Sequence, residues 1–256
     1  MEGQIKELVD KIWTKFQTLP PNERLLIAIS GIPGSGKTTL AHLLTTNLNA
    51  LHPSPTPIAT TIPMDGYHLT RSQLSALPNA PEAIFRRGAA FTFDSASYLS
   101  LIRSLRLPLT PSSERTIYAP SFSHALKDPV ENDIAILSSS RILVIEGLYL
   151  SLSSSSSGST SSDGGSFKPD PPQAEDWVKA GDLMDMHVFV EVGFERAAER
   201  LVKRHVESGI CESVEVARER AWESDLRNGR EIVEGRRKFR EGVDVVVKSW
   251  EDEGWR

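Results

Sequence analysis

Short apolar runs alternate with segments of helical periodicity along most of the chain. The runs predict strands over 25–30, 57–64, 114–119, 141–146, 186–192 and 243–247. Helical patterns fall between several of these runs, an alternation typical of helices that cover both faces of a parallel sheet. The pattern therefore predicts an α/β fold of three layers, with a mostly parallel sheet of about five strands.

Two further segments frame this pattern. Residues 2–19 carry apolar side chains at three- and four-residue intervals, which predicts an amphipathic helix that ends at Pro20 and Pro21 and occupies most of residues 1–20. Residues 151–173 are rich in Ser, Gly and Pro, a composition that predicts a disordered surface insertion. A linker between two domains is the alternative. We favour one domain over 1–256, because the part after the insertion is short and highly charged.

Composition narrows the classes of function. The formal net charge of −5 argues against nonspecific binding of nucleic acid, which needs a surplus of Lys and Arg. Cys211 is the only cysteine, so the chain can form no internal disulfide and no cysteine-based zinc site. No apolar run has the length of a membrane span or the form of a signal peptide. We expect a cytoplasmic protein with no membrane partner; a nuclear location and a homodimer are both compatible with the sequence.

The strongest chemical signal is the octet at 31–38, which reads GIPGSGKT and directly follows the first apolar run. It matches G-x-x-x-x-G-K-[ST], in which glycines let backbone N–H groups turn toward phosphate oxygens. Lys37 adds a positive charge for the β- and γ-phosphates, and the Thr38 hydroxyl can ligate Mg²⁺. The motif predicts a P-loop NTPase fold. The residues assigned to nucleotide binding are Gly31, Pro33, Gly34, Ser35, Gly36, Lys37, Thr38 and Thr39.

Two acidic residues close later predicted strands. Asp65 follows the second strand, and Glu146 follows four apolar residues. Because ligands of doubly wound sheets collect at the carboxyl ends of the strands, both acids should face the same crevice as Lys37. Glu146 suits a Mg²⁺ site, and Asp65 suits proton acceptance or a Mg²⁺ contact. An ordinary strand-end carboxylate and a turn-forming Asp before Gly66 remain the alternatives.

These segments together resemble the phosphoribulokinase, uridine kinase and pantothenate kinase family of P-loop kinases. The resemblance rests on the loop at 31–38, on MDGYH at 64–68 and on IEG at 145–147, and it spans most of 25–247. Its middle, at 86–94 and 118–124, is most similar to bacterial pantothenate kinases and to a fungal and bacterial branch of ATP-dependent metabolite kinases. The resemblance implies transfer of phosphate from Mg-ATP to a hydroxyl of a small molecule, with Asp65 as base and Glu146 at the metal.

The resemblance also implies a helical lid over 194–240. Arg196, Arg200 and Arg204 fall on one face of a predicted helix, and the family's lid arginines suggest catalytic roles for Arg200 and Arg204. A solvated face balanced by neighbouring Glu residues is the alternative. The side chains that resemble acceptor-site walls are Tyr67, His68, Arg87, Tyr118, His124 and Lys127.

Three residues outside these walls also carry assignments. Asp94 is expected to cap a helix over 95–106. Asp225 and Asn228 either reach the nucleotide base or lie on a helix surface.

The sequence therefore favours an ATP-dependent kinase that phosphorylates a pantothenate-like acid, a nucleoside, a sugar or a polyol. An NTPase switch that signals to a protein partner and a nucleotide-binding scaffold are the rival classes. The chain lacks the Asn-Lys-Xaa-Asp signature of guanine-specific GTPases, which argues against a Ras-like switch.

Overall fold

The computed structural model describes residues 2–110, 116–153 and 171–249. Five strands form a parallel sheet, namely β1 Leu25–Gly31, β2 Ala59–Pro63, β5 Ile142–Glu146, β6 Met186–Glu191 and β7 Val245–Lys248. Their order across the sheet is β2-β5-β1-β6-β7. The predicted α/β fold with a mostly parallel sheet of about five strands is confirmed.

Helices cover both faces of this sheet. The α-helices of the described ranges are α1 Glu2–Gln17, α2 Lys37–Leu51, α3 Arg71–Ser75, α4 Ala80–Phe85, α5 Ser95–Leu105, α6 Pro171–Asp182, α7 Phe194–Glu207, α8 Val214–Arg220 and α9 Leu226–Glu234. Short 3₁₀ helices span Met64–Tyr67 and Ala90–Thr92, and a π-helix spans Ala221–Asp225. Among the described residues, no helix combines the length and the apolar character needed to cross a membrane.

Successive residues of β1 point into different layers, because side chains alternate across a strand. Leu25, Ile27 and Ile29 join a core with α1 and α2. Leu26 and Ala28 join the opposite core, which contains residues of α5 and α6. Burial on both faces explains why the strands read as continuous apolar runs rather than as alternating patterns.

The strand predicted over 114–119 lies outside the parallel sheet. Its described part belongs to β3 Ile117–Ser123, which pairs antiparallel with β4 Asp128–Ile136. The sequence pattern missed β4 because its central residues, 131–133, are polar and exposed, which leaves little apolar signal to detect. The two strands form a separate hairpin that packs against the 3₁₀ helix Met64–Tyr67.

Only the ends of the predicted insertion at 151–173 can be compared with the structure. Residues 154–170 lie outside the described ranges, and α6 begins at Pro171. Ser151, at the near end, is buried and hydrogen-bonded. The described part of the predicted lid region at 194–240 is mostly helical.

Gly66 sets how closely the hairpin approaches the end of β2. A Cβ atom at this position would lie 2.2 Å from the carbonyl oxygen of Pro120 and 2.7 Å from its carbonyl carbon. Both are backbone atoms, so no side-chain rotation could relieve the clash. The hairpin can therefore pack on the 3₁₀ helix only because residue 66 has no side chain.

We predict that Gly66→Ala lowers the free energy of unfolding by about 1–3 kcal/mol, because β3 must move away from the 3₁₀ helix. Urea unfolding monitored by circular dichroism measures the loss. Gly3→Ala is the matched control, since a Cβ atom there meets nothing within 4 Å. Equal midpoints for the two variants would show that the Gly66 contact is not tight.

Candidate active site

The phosphate loop connects β1 to α2 through residues whose backbone favours glycine. Gly34 has φ +78° and Gly36 has φ +94°, values that L side chains rarely adopt. Gly36 also precedes α2 and offers no side chain to cap it. The first N–H groups of α2 therefore have no side-chain cap, and together with the helix dipole they form a site suited to an anion.

Lys37 is held inside this loop. Its side chain is buried, and Nζ donates a hydrogen bond to the carbonyl oxygen of Ile32 at 2.9 Å. Burial lowers the pKa of Lys37 to about 8, against the opposite effects of Glu146 and Asp65. A phosphate group beside Nζ would favour the charged form of this lysine.

Strand register brings Glu146 to the same place. In the sheet Glu146 pairs with Ile29 on one side and with Pro63 on the other, and the Thr38 hydroxyl donates to its Oε1 at 3.3 Å. The carboxyl group is buried, and this burial raises the pKa of Glu146 to about 7, with a further contribution from Asp65. Glu146 is thus poised to gain or lose a proton near neutral pH.

Thr38 and Glu146 provide the type of ligands that Mg²⁺ prefers. Both supply oxygen, and Mg²⁺ commonly takes one or two protein ligands together with water and substrate phosphates. Within the described ranges, no group of three or more His, Cys, Asp or Glu side chains could hold a metal ion without help. The donor set therefore fits a Mg²⁺ ion that arrives with a nucleotide.

Asp65 lies on the 3₁₀ helix that follows β2, with its side chain about half exposed. It raises the pKa of both Lys37 and Glu146, which places its carboxylate in the same electrostatic neighbourhood. Asp65 Oδ1 is 3.9 Å from His68 Nδ1. The structure thus brings together Lys37, Thr38, Asp65 and Glu146, the four residues predicted for phosphate, metal and base chemistry.

The predicted lid arginines occupy different positions on α7. Arg204 is exposed, and its charge lowers the pKa of both Lys37 and Glu146, so it lies on the side of α7 toward the site. Arg200 donates instead to the Gly34 carbonyl at 3.2 Å and to Ser249 Oγ at 2.8 Å. In this structure Arg200 contacts the phosphate loop at the Gly34 carbonyl oxygen. The catalytic role assigned to it stays a prediction.

His68 and Tyr67 follow Asp65 directly. Tyr67 is buried among aromatic residues, with its ring edge-on to Tyr98. The His68 ring lies 4.0 Å from the centre of Phe93, and its Nδ1 is 2.8 Å from the Asp65 carbonyl oxygen. Burial lowers the pKa of His68, which favours the neutral ring at pH 7.

Arg87 has a structural partner for each of its terminal nitrogens. Nη1 donates to the Lys127 carbonyl oxygen, and Nη2 donates to the Leu69 carbonyl oxygen and to Asp128 Oδ1, both at 2.9 Å. Arg87 therefore ties the β3–β4 hairpin to the segment after Asp65.

The other predicted wall residues lie on the hairpin. Tyr118 and His124 are exposed, and the His124 ring packs edge-on against Phe122. Lys127 is exposed and has φ +56°.

Asp94 caps α5 as predicted, with its carboxylate accepting from Ser97 N at 2.9 Å. Asp225 and Asn228 are engaged elsewhere. Asp225 Oδ2 lies 2.7 Å from His205 Nε2, and Asn228 Oδ1 accepts from Arg86 Nη2 at 2.6 Å. Asn228 is buried and Asp225 is half-buried in this structure, and a contact of either residue with a nucleotide base stays a prediction.

Sequence reasoning missed a buried relay behind the phosphate loop, consisting of Ser30, Ser151 and His187. Ser30 Oγ donates to Ser151 Oγ at 2.7 Å, and Ser151 Oγ lies 2.9 Å from His187 Nδ1. His187 Nε2 donates to the Gly181 carbonyl oxygen at 3.1 Å. Burial lowers the pKa of His187 to about 4, so the ring is neutral. The residues lie far apart in sequence, so no local signal could have revealed the relay.

Comparisons with known proteins agree with this geometry. No family model matches the chain. An ATP-dependent kinase-like protein of Aspergillus versicolor, notR', is 44% identical over 189 residues, which are 74% of this chain and 96% of that protein. The chain belongs to the phosphoribulokinase/uridine kinase family of P-loop kinases.

Two further proteins that are similar to this kinase are also named as kinases. A Schizosaccharomyces pombe protein provisionally named as a uridine kinase is 35% identical, with coverage of 86% of this kinase and 83% of that protein. A solved structure from Silicibacter, provisionally named as a fructose transport system kinase, is 26% identical with a TM-score of 0.73, covering 95% of this kinase and 98% of that chain. The protein is an ATP-dependent small-molecule kinase.

We predict that the affinity of this kinase for Mg-ADP rises by up to about tenfold between pH 6 and pH 8, as Glu146 ionises. Below pH 7 a proton competes with the metal for the Glu146 carboxylate, whose pKa is about 7. Glu146→Gln should weaken binding and remove this part of the pH dependence. Titration calorimetry at several pH values provides the measurement.

The ionisation of the nucleotide itself is the same for both proteins, so the difference between their pH profiles reports the loss of the Glu146 carboxylate, together with its effect on the pKa of Lys37. Parallel pH profiles for the wild type and the variant would show that Glu146 is not a ligand of the metal.

Proposed function

We propose that this kinase transfers the γ-phosphoryl group of ATP to a hydroxyl of a neutral polyhydroxyl compound, such as a sugar, a polyol or the sugar of a nucleoside. The observation that carries the proposal is a cleft beside Asp65 that is lined by hydroxyls and carboxylates. Among the described residues that line it, none is Lys or Arg.

The cleft lies between α5 and the β3–β4 hairpin, and Gly66, Tyr67 and His68 form one of its walls. Its volume is about 350 Å³, close to the lower end of the range of about 300–1,000 Å³ for small-molecule pockets. The polar side chains that line it are Tyr67, His68, Thr70, Gln73, Asp94, Ser97, Ser100, Ser104, Tyr118 and Glu131. A small ligand with several hydroxyl groups suits this size and this lining.

The charge of the cleft favours a neutral acceptor over an acid. Burial raises the pKa of Tyr67, and the charges of Glu131 and Asp94 raise it further, so both carboxylates lie near the Tyr67 hydroxyl. Carboxylates can accept hydrogen bonds from sugar hydroxyls but repel an acidic ligand. A pantothenate-like acid is therefore disfavoured.

Arg87, which donates to the carbonyl oxygen of the lining residue Leu69, does not compensate for these carboxylates. Arg87 forms an ion pair with Asp128 at 2.9 Å and donates to two backbone carbonyl oxygens. His68 is kept neutral at pH 7 by its burial. The names of two similar proteins mention uridine and fructose, which are both neutral polyhydroxyl compounds, and this supports the proposal.

Different residues of the site would have separate roles in the reaction. The loop N–H groups and Lys37 would hold the phosphates of ATP, and Arg204 would add positive charge as negative charge spreads over the transferred group. Thr38 and Glu146 would hold Mg²⁺, which screens the charge on the phosphate oxygens when bound. Asp65 would accept the proton of the attacking hydroxyl. Transfer then depends mainly on positioning and electrostatics.

An acceptor screen with Mg-ATP tests the proposed class. Neutral aldoses, ketoses, polyols and nucleosides are compared with pantothenate and glycerate by following ADP release. We expect a neutral compound to raise ADP release above the rate seen without an acceptor. Acceleration by the acids alone would overturn the proposed class.

We predict that Glu131→Gln raises KM for the acceptor by about tenfold, the cost of roughly one charge-assisted hydrogen bond. The KM for ATP should stay unchanged, because Glu131 lies in the cleft and not at the phosphate loop. Glu7→Gln, on α1, is the matched control. An unchanged acceptor KM in Glu131→Gln would place the acceptor outside this cleft.

We predict that Asp65→Asn lowers kcat by about 10²- to 10⁴-fold, the usual contribution of a general base. Nucleotide affinity should change much less than kcat, since Asp65 would contact the acceptor and affects Lys37 and Glu146 only through its charge. Stopped assays of product formation and calorimetry of Mg-ADP binding measure the two effects separately. Asp10→Asn, on the exposed face of α1, controls for the loss of a carboxylate. Undiminished turnover would exclude Asp65 as the base.

A further inference from the structure

Arg86 is one of the most deeply buried charged residues in the described part of the chain. It follows α4 directly, and its side chain is 2% exposed. Nη2 donates to Asn228 Oδ1 at 2.6 Å and to Glu231 Oε1 at 3.3 Å, and both partners belong to α9. Arg86 thus fastens the segment after α4 to a helix that lies about 140 residues later in the chain.

This contact is not the arrangement that stability alone would favour. In the described parts of the protein, no group accepts a hydrogen bond from Arg86 Nε or Nη1. Buried ion pairs are often no more stabilising than apolar residues of similar size, whereas they do fix which groups lie together. The Arg86 contact therefore matters more for holding the segment after α4 against α9 than for stability.

On one side of Arg86, helix α9 packs against the phosphate loop. Asn228 is followed by Gly229, where a Cβ atom would lie 3.3 Å from Ile32 Cβ. Ile32 is the residue whose carbonyl oxygen accepts from Lys37 Nζ. Bound phosphates would compete with this carbonyl oxygen for Lys37 Nζ. The environment of Ile32, against which α9 packs, therefore depends on whether a nucleotide is bound.

On the other side, the next residue, Arg87, contacts the wall of the acceptor cleft. It donates to the carbonyl oxygen of Leu69, which lines the cleft, and it pairs with Asp128 of the hairpin. Two consecutive arginines therefore connect one short segment to both sites. The segment itself is held by Tyr149, whose hydroxyl donates to the Gly88 carbonyl oxygen at 2.9 Å.

We propose that Arg86, through Asn228, is a positioning residue that couples nucleotide binding at the phosphate loop to the order of the acceptor cleft. A nucleotide that draws Lys37 from Ile32 shifts the packing of α9, and Arg86 and Arg87 pass this shift to Leu69 and the hairpin. Coupling between two sites is reciprocal, so a bound acceptor tightens nucleotide binding to the same degree. The inference rests on the proposed function only for the identity of the cleft's ligand.

Hydrogen–deuterium exchange of the full chain, with and without Mg-AMPPNP, tests the coupling without an acceptor. In the wild type we expect the nucleotide to slow exchange by about fivefold or more at residues 66–70 and 117–136, a change typical of allosteric coupling. The variant Arg86→Met with Glu231→Gln removes both charges of the buried pair. It should lose this remote protection while nucleotide affinity, measured by calorimetry, stays close to that of the wild type.

Arg103→Met is the matched control, since Arg103 lies exposed on α5. Asn228→Ala cuts the same connection from the other end and serves if the double variant does not fold. Remote protection that is absent in the wild type, or equal in the wild type and the folded variants, would overturn the coupling. A failed acceptor screen would leave these results unaffected, so the two proposals can fail separately.

Discussion

Lys37 and Glu146 carry opposite charges in a part of the protein from which water is largely excluded. Burial draws the pKa of each toward neutrality, and each opposes that shift in the other. The arrangement depends on the register of three parallel strands, since β1 ends in the phosphate loop and β5 lies between β1 and β2. A displacement of β5 by one residue would turn Glu146 to the opposite face of the sheet.

The two halves of the site have opposite electrostatic character. Lys37, Arg204 and the first turn of α2 supply positive potential where phosphate is expected, although the chain as a whole is acidic. The cleft proposed for the acceptor is lined by Asp94 and Glu131. An anionic phosphate donor and a neutral acceptor would each find a matching surface, and an acid would be repelled where the acceptor belongs. Under the proposed function, charge would contribute to the choice between substrates as well as to catalysis.

Local sequence signals predicted those parts of the site whose geometry is local. The spacing of 31–38 dictates a backbone conformation, and strand ends locate Asp65 and Glu146 because parallel strands share one functional edge. The contacts of Arg86 could not be predicted in this way. An arginine beside Arg87 gives no indication that it is buried against Asn228, which only the packing of α9 determines. The hairpin strand β4 was missed for a related reason, since its exposed polar residues resemble a loop.

The relay of Ser30, Ser151 and His187 bears on how this kinase tolerates change. Ser151 is the first residue of the Ser-rich segment and Gly181 lies after this segment, and His187 contacts both from β6. The two flanks are thus anchored to the same imidazole independently of what joins them. The entropic cost of closing a loop grows only slowly with its length, by about 0.6 kcal/mol for each doubling. Related chains could therefore lengthen, shorten or replace this segment during evolution without disturbing the phosphate loop.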